Sequence, residues 1–345
     1  MAQPTIGHLD PQFIGLMDDI KALMRYAFQT RNALTLPLSA PGSAGMEAAF
    51  ANLLEPGDKA IVCVNGVFGM RMCENVRRMD GELVTVEDDW GCPVDPEKLQ
   101  AALREHPDTK IVAFVHAETS TGVCSDVATL CGLAKQAGCL TIVDSVTGLG
   151  GIELRVDDWQ VDVCYSGTQK CLSCPPGLSL ITYSDAAAER VKARNSAVQS
   201  WFLDLSLLMA YWQGEGARTY HHTAPVNALY GLHEALLMLH TEGLEQSWQR
   251  HRDMHDLLAQ GLGELNLELV VDAAWRLPQL NLVAAPEGVI EADVRAQLLA
   301  RYNLEIGAGL GAFAGKVWRI GLMGYAARQE NVLLCVNALR SCLPG

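Results

Sequence analysis

No stretch of 18 consecutive apolar residues occurs in the sequence, so nothing in it should cross a membrane as a helix. The opening residues, MAQPTIGHLD, hold neither a basic start nor an apolar run, which leaves no secretory signal to read. Positive charge is scarce: 26 Lys and Arg stand against 40 Asp and Glu, a net charge of −14. A chain of this sign is expected to bind neither nucleic acid nor an anionic membrane through its overall field, although a small anion can still find a locally positive site. Repeats, low-complexity tracts and Pro/Gly/Ser linkers are missing as well. The eleven cysteines make an odd number without framework spacing, and Cys63, Cys139 and Cys164 sit in apolar runs. Reduced thiols in a cytoplasmic protein are the simplest reading.

What is present is an ordinary globular composition, 49% apolar and 19% charged, over 345 residues. Short apolar runs recur at 60–64, 83–86, 111–115, 140–143, 161–165 and 178–182, each bounded by Gly, Asp, Asn or Pro. Helical patterns separate several of them, as at 96–105 and 127–137, and another helix is expected over 46–54 after the turn Ala40-Pro41-Gly42-Ser43. Continuous apolar strands alternating with helices predict an α/β fold with a mostly parallel sheet covered on both faces. After a long amphipathic helix over 244–265, strand-like segments at 267–271, 280–284 and 317–322 alternate with helices at 291–302 and 329–341. The expected organisation is a large domain over 1–243 and a smaller C-terminal α+β domain over 244–345.

In open α/β sheets ligands bind beyond the C-terminal strand ends. Those ends carry Asn65-Gly66-Val67-Phe68-Gly69, then His116 to Gly122, then Asp144-Ser145-Val146, then Ser166-Gly167-Thr168-Gln169-Lys170. An aromatic ring, a hydroxyl cluster, one carboxylate and one amine therefore meet at one rim. Pyridoxal phosphate needs this set: an amine for a Schiff base, a carboxylate to keep its ring nitrogen protonated, and donors for its phosphate. The chain has only eight lysines, and Lys170 alone follows a buried strand inside a turn of small residues. Asp144 is the candidate partner of the ring nitrogen, a helix N-cap being the plainer reading of a lone Asp at a strand end. Phe68 is either a ring-stacking residue or a core aromatic. The turn holding Gly42, Ser43 and Ala44 opens a helix and lets backbone N–H groups approach a phosphate, or is simply a turn.

The segments Val143-Asp144-Ser145-Val146 and Tyr165-Ser166-Gly167-Thr168-Gln169-Lys170 resemble the class V aminotransferases, on their alanine–glyoxylate and serine–glyoxylate side. So do Phe28-Gln29-Thr30-Arg31-Asn32, Glu118-Thr119-Ser120-Thr121-Gly122, Pro175-Pro176-Gly177, Tyr220-His221-His222-Thr223 and Arg319-Ile320-Gly321-Leu322. The resemblance covers nearly the whole chain in order. It implies a fold-type-I pyridoxal-phosphate transferase. Thr119 would bond the cofactor near its ring hydroxyl or nitrogen, and Gln169 and Ser43 would help hold the phosphate. Tyr220 and Thr223 would reach the phosphate of a neighbouring subunit in a homodimer with shared active sites. Arg319 would clamp the substrate carboxylate with its planar fork. The sequence departs from the family at two points. Phe68 stands where eukaryotic relatives carry Trp. The family's upstream Gly-Pro-Gly-Pro stretch has no counterpart after Met1, so either the start lies further upstream or the substrate site closes differently.

The expected reaction moves an amino group from a small amino acid, alanine or serine, to a small 2-oxo acid, glyoxylate or pyruvate. The alternatives are ureidoglycine–glyoxylate or aminophosphonate transamination, and a non-catalytic cofactor-binding protein. A cysteine desulfurase fits less well, because Cys335 and Cys342 lie in or after a terminal helix and Cys171 and Cys174 adjoin the lysine. Those two form a Cys-x-x-Cys without a second pair, and zinc is not expected. His251 and His255, at i and i+4, read as a solvated helix face rather than a metal site. His116 has no assignable role.

Overall fold

A computed structural model describes residues 2–212 and 218–343. In chain order its first nine strands are β1 (Leu34–Leu38), β2 (Lys59–Val64), β3 (Glu82–Glu87), β4 (Ile111–Val115), β5 (Ala117–Glu118), β6 (Val123–Cys124), β7 (Leu140–Asp144), β8 (Val163–Gly167) and β9 (Ser179–Tyr183). Seven of them form one sheet in the order β1-β9-β8-β7-β4-β2-β3, while β5 and β6 make a short ribbon. The pairs β8–β7, β7–β4, β4–β2 and β2–β3 are parallel, and β9 alone runs against the rest. The run Ile111–Val115 is buried at every position, as a strand covered on both faces must be. From β2 the chain turns outward to β3, then returns and builds β4, β7 and β8 in the other direction. Crevices for ligands open where the strand order reverses in this way.

The covering helices are α1 (Pro11–Phe28), α2 (Gly42–Leu53), α3 (Val67–Arg78), α4 (Pro96–Glu105), α5 (Val127–Gln136), α6 (Asp185–Lys192) and α7 (Leu205–Trp212). Several begin where local chemistry dictates. Asp10 and Asp95 cap α1 and α4 ahead of a proline, and Asp126 and Ser184 cap α5 and α6, each side chain accepting an otherwise orphaned amide. Two long helices, α8 (Val226–Glu242) and α9 (Leu244–Gly263), lead to a second sheet of β10 (Leu280–Ala284), β11 (Gly307–Ala308) and β12 (Val317–Gly321). That sheet is antiparallel in the order β10-β12-β11 and packs with α10 (Glu291–Tyr302) and α11 (Gln329–Cys342). Its core gathers Leu258, Leu262, Val283, Leu298, Trp318 and Leu339, separate from the large core around the main sheet.

Four details differ from the sequence reading. The strand β1 was not foreseen, since Pro37 interrupts its pattern; it is an edge strand, where a missing amide costs no ladder bond. The helix expected from Met46 starts at Gly42, so the glycine turn is the first turn of α2 itself. Residues 267–271 form no strand and contribute an isolated bridge, Leu269 to Val283. His251 is fully buried rather than solvated: its Nε2 accepts the Gly324 N–H at 2.9 Å and its Nδ1 meets the Ser247 carbonyl at 2.7 Å.

Candidate active site

Because β2, β4, β7 and β8 run parallel, their C-terminal ends share one rim, and a cavity of about 210 Å³ opens there. Gly42, Ser43, Phe68, Thr119, Asp144, Gln169 and Lys170 all line it. Ala44 sits half-buried in the first turn of α2, beside that lining. Tyr165, Met46 and Arg71 also line it and were not singled out from sequence.

Asp144 ends β7 and is buried. Its Oδ1 accepts the Val146 N–H at 2.8 Å and its Oδ2 accepts the Tyr165 hydroxyl at 2.9 Å. Burial pushes its carboxyl up to about 7, with the nearby Glu118 charge adding to the shift and the two hydrogen bonds opposing it. Both donors are neutral, so a cation beside this carboxyl would favour its charged form. A protonated ring nitrogen would supply one. Lys170, half-buried in the turn after β8, has its ammonium pushed down, by burial first and then by the positive charge of Arg319. The start of α2 lines the same cavity. Its N-cap, Pro41, offers no side-chain acceptor to the first amides, which leaves a helix N-terminus facing the space between Gly42 and Gln169. A buried carboxylate hydrogen-bonded by neutral donors, an amine and a helix N-terminus around one cavity fit pyridoxal phosphate.

Phe68 is set by an arrangement that the sequence reading missed. Gly66 caps α3 without a side chain. The first amides of α3 turn instead to the loop after β5: Val67 N–H donates to Ser120 Oγ at 2.9 Å and Phe68 N–H to Glu118 Oε2 at 3.1 Å. Glu118 is wholly buried and also accepts the Ser120 N–H and hydroxyl, at 3.0 and 2.6 Å. Burial raises its pKa against these hydrogen bonds. A Cβ at position 66 would stand 2.5 Å from the Glu118 carboxyl, so only glycine fits there. The Arg71 guanidinium, one turn on, lies 4.9 Å from the centre of the Phe68 ring. A buried acid in an otherwise small and hydroxylic strand-end segment was the available signal for Glu118, but its partners lie fifty residues away.

Arg319 on β12 is outside the cavity lining but reaches toward it. Its Nε donates to the Ala308 carbonyl at 2.7 Å and its Nη1 to the Thr119 carbonyl at 3.1 Å. Tyr220 and Thr223 do not line the cavity. Both are exposed, 3.5 Å apart through their oxygens. His116 is buried behind Asp144, with Nδ1 3.1 Å from Ser145 Oγ, and burial holds its pKa down at about 4. Cys171 and Cys174 are buried thiols, with burial pushing them up to about 12 and about 11.

The sequence profile of the family described as aminotransferase class-V matches residues 2–333. The chain belongs to the class-V aminotransferases. This aminotransferase is 40% identical over 340 residues to an alanine–glyoxylate aminotransferase of Callithrix jacchus, covering 98% of this chain and 82% of the relative. It is 36% identical over 361 residues to the (S)-ureidoglycine–glyoxylate transaminase of Bacillus subtilis, covering 99% and 86%. Among solved structures, an alanine–glyoxylate aminotransferase from Nostoc sp. matches with a TM-score of 0.97 at 43% identity, over 99% of this chain and 90% of that one. The resemblance and the fold-type-I expectation are thus borne out. The aminotransferase depends on pyridoxal 5′-phosphate and falls in the group of the alanine–glyoxylate and ureidoglycine–glyoxylate enzymes. Among the described residues no helix is long and apolar enough to cross a membrane.

Proposed function

We propose that the protein transfers the amino group of alanine or serine to glyoxylate or pyruvate in a ping-pong exchange. The observation that carries this reading is Lys170 and Asp144 at adjacent strand ends of one cavity that the N-terminus of α2 also lines. The alanine–glyoxylate relatives support the choice of substrates. Pyridoxal phosphate, when bound, supplies the sink for the electron pair left on the substrate α-carbon. Lys170 holds the cofactor at rest. As a free amine its Nζ would take the proton from the substrate α-carbon and, as the resulting ammonium, give it back on the other side of the substrate nitrogen; burial and Arg319, by lowering its pKa, favour the free base this requires. Asp144 would keep the ring nitrogen protonated. Phe68 would stack on the ring, and Thr119 would bond its polar edge. Gly42, Ser43 and Ala44, with Gln169, would hold the phosphate. Arg319, with Nε and Nη1 turned to carbonyls, offers its remaining N–H groups to the substrate carboxylate.

In this reading residues 1–243 carry the cofactor, 244–345 carry the substrate arginine, and the enzyme works in the cytoplasm as a homodimer. Tyr220 and Thr223 serve the partner's phosphate. Hybrid dimers of Lys170→Ala subunits with subunits carrying Tyr220→Phe and Thr223→Ala test this: one site per hybrid should regain activity. Verified hybrids that regain none, beside an impaired loop-variant homodimer, refute the shared site. The deciding experiment for the reaction follows half-reactions of the holoenzyme by cofactor absorbance across a donor panel. Alanine or serine should convert the cofactor fastest. Faster conversion by ureidoglycine, the donor in the Bacillus subtilis relative's name, or by an aminophosphonate, would replace the substrate assignment. Cofactor binding without conversion by any donor would reduce the chain to a binding protein.

A further inference from the structure

One anchor of Arg319 leads into a loop that is itself packed against the turn after β3. This anchor, one of two carbonyls, is Ala308, which ends β11 and leads into the connection 309–316 back to β12. That connection is tightly folded. Gly309 N–H donates to the Val317 carbonyl at 3.1 Å, and Phe313, Ala314 and Lys316 each close a turn onto a residue three back. Its outer face meets Trp90, in the turn after β3. Gly311, at φ +51°, lies so close to the indole that a Cβ there would stand 2.2 Å from it. Trp90 and Phe313 meet edge to face, with centroids 6.0 Å apart and planes at 64°. The other side of Phe313 packs on the buried cluster of Val123, Val271, Leu282 and Val317. The turn bearing Trp90 is pinned in its own right, because the buried Asn65 donates from Nδ2 to the Cys92 carbonyl at 3.0 Å.

We propose that Trp90 is a positioning residue for substrate binding, clasping the 309–316 loop through Gly311 and Phe313 so that the Ala308 carbonyl holds the Arg319 fork in place. The inference rests on the reading of Arg319 as the substrate-carboxylate residue. Its reach is specific. Trp90 is not among the residues that line the cavity, whereas Lys170 and Asp144 are, so loosening the clasp should disturb the substrate end and leave the cofactor end intact. Both half-reactions use a carboxylate substrate, so donor and acceptor suffer together.

The test is steady-state kinetics of the holoenzyme with a cofactor titration beside it. Trp90→Ala and Phe313→Ala should each raise KM for donor and acceptor by about tenfold, with kcat within about threefold. The double variant should be no worse than the worse single one, since both break the same contact. Trp90→Phe should restore KM to within about twofold by keeping an aromatic edge on Phe313. Cofactor affinity, titrated by absorbance, should not move. Unchanged KM in both single variants overturns the proposal. So does a KM rise matched by an equal loss of cofactor affinity in both, which is the mark of general loosening. Arg319→Lys separates the proposal from its premise. If that variant raises KM and the clasp variants do not, the clasp alone is wrong; if it leaves KM unmoved, the reading of Arg319 is wrong and the proposal goes with it.

Discussion

The two ends of the site are built in opposite ways. At the cofactor end Asp144, Tyr165 and Lys170 are placed by the pairing of two parallel strands: Asp144 ends β7, Tyr165 lies beside it on β8, and Lys170 follows in the turn after β8. Strand pairing alone brings Tyr165 Oη to 2.9 Å from Asp144. At the substrate end, Arg319 comes from a different sheet and is steadied by two carbonyls, one on a short edge strand and one in the loop after β5. Preorganisation is inherited from the sheet in the first case and assembled from loops in the second. Chemistry common to a family belongs on the first, and the choice of substrate on the second.

The largest effect expected from breaking this comparison is at Lys170. Lys170→Ala should lower turnover by about 10⁴-fold or more while the protein folds and still takes up cofactor without the covalent tie, as absorbance and activity will report together. Normal turnover there would remove the amine from the mechanism. Asp144→Asn comes next, slowing the chemical step by roughly 10²–10⁴-fold, measured by single-turnover kinetics.

Asp144 also carries a pH signature in cofactor-free protein. Burial pushes its carboxyl up to about 7 in the folded state from an ordinary 3.8, so between these the folded state holds a proton that the unfolded state has shed. That contribution is full below pH 3.8 and is lost as pH rises through 7. Denaturant melts of cofactor-free protein should show the slope, and Asp144→Asn or saturating cofactor should abolish it.

Arg319→Lys keeps the charge and loses the fork. KM for carboxylate substrates should rise by roughly 10–100-fold with the cofactor spectrum unchanged. Loss of cofactor instead would merge the two ends. The smallest effect is distributed. Burial holds His116, His222 and His251 down at about 4 from 6.5, so each stabilises the fold above pH 6.5 and loses that contribution as pH falls toward 4. Replacing His251 with Gln should flatten part of this acid limb, read from melts at stepped pH.

The asymmetry also explains what the sequence disclosed. Lys170 and Asp144 were legible because a buried strand ending in a polar residue is a local pattern, and the six apolar runs it needed are all strands of the main sheet. The strand holding Pro37 was hidden by local chemistry that only its edge position excuses. Glu118 and Gly66 were present in the text but silent, since what defines them is a contact between residues 52 apart. The same holds for Ala308 and Arg319, and for Trp90 and Phe313, whose meeting no periodicity announces. His251 was misread because a polar helix face can still be covered by a loop folded later in the chain.

One residue, Gly243 at φ +90°, separates α8 from α9. The helix that follows begins in the large core with Leu244 and Trp248 and ends in the small one with Leu258 and Leu262. No stretch of loose chain therefore lies at this junction for a protease to nick, and a cut there would leave one fragment with a helix whose apolar face has lost half its cover. Expressed apart, the two halves should therefore fail to remix into active enzyme, and on heating they should go together, because α9 contributes to both cores.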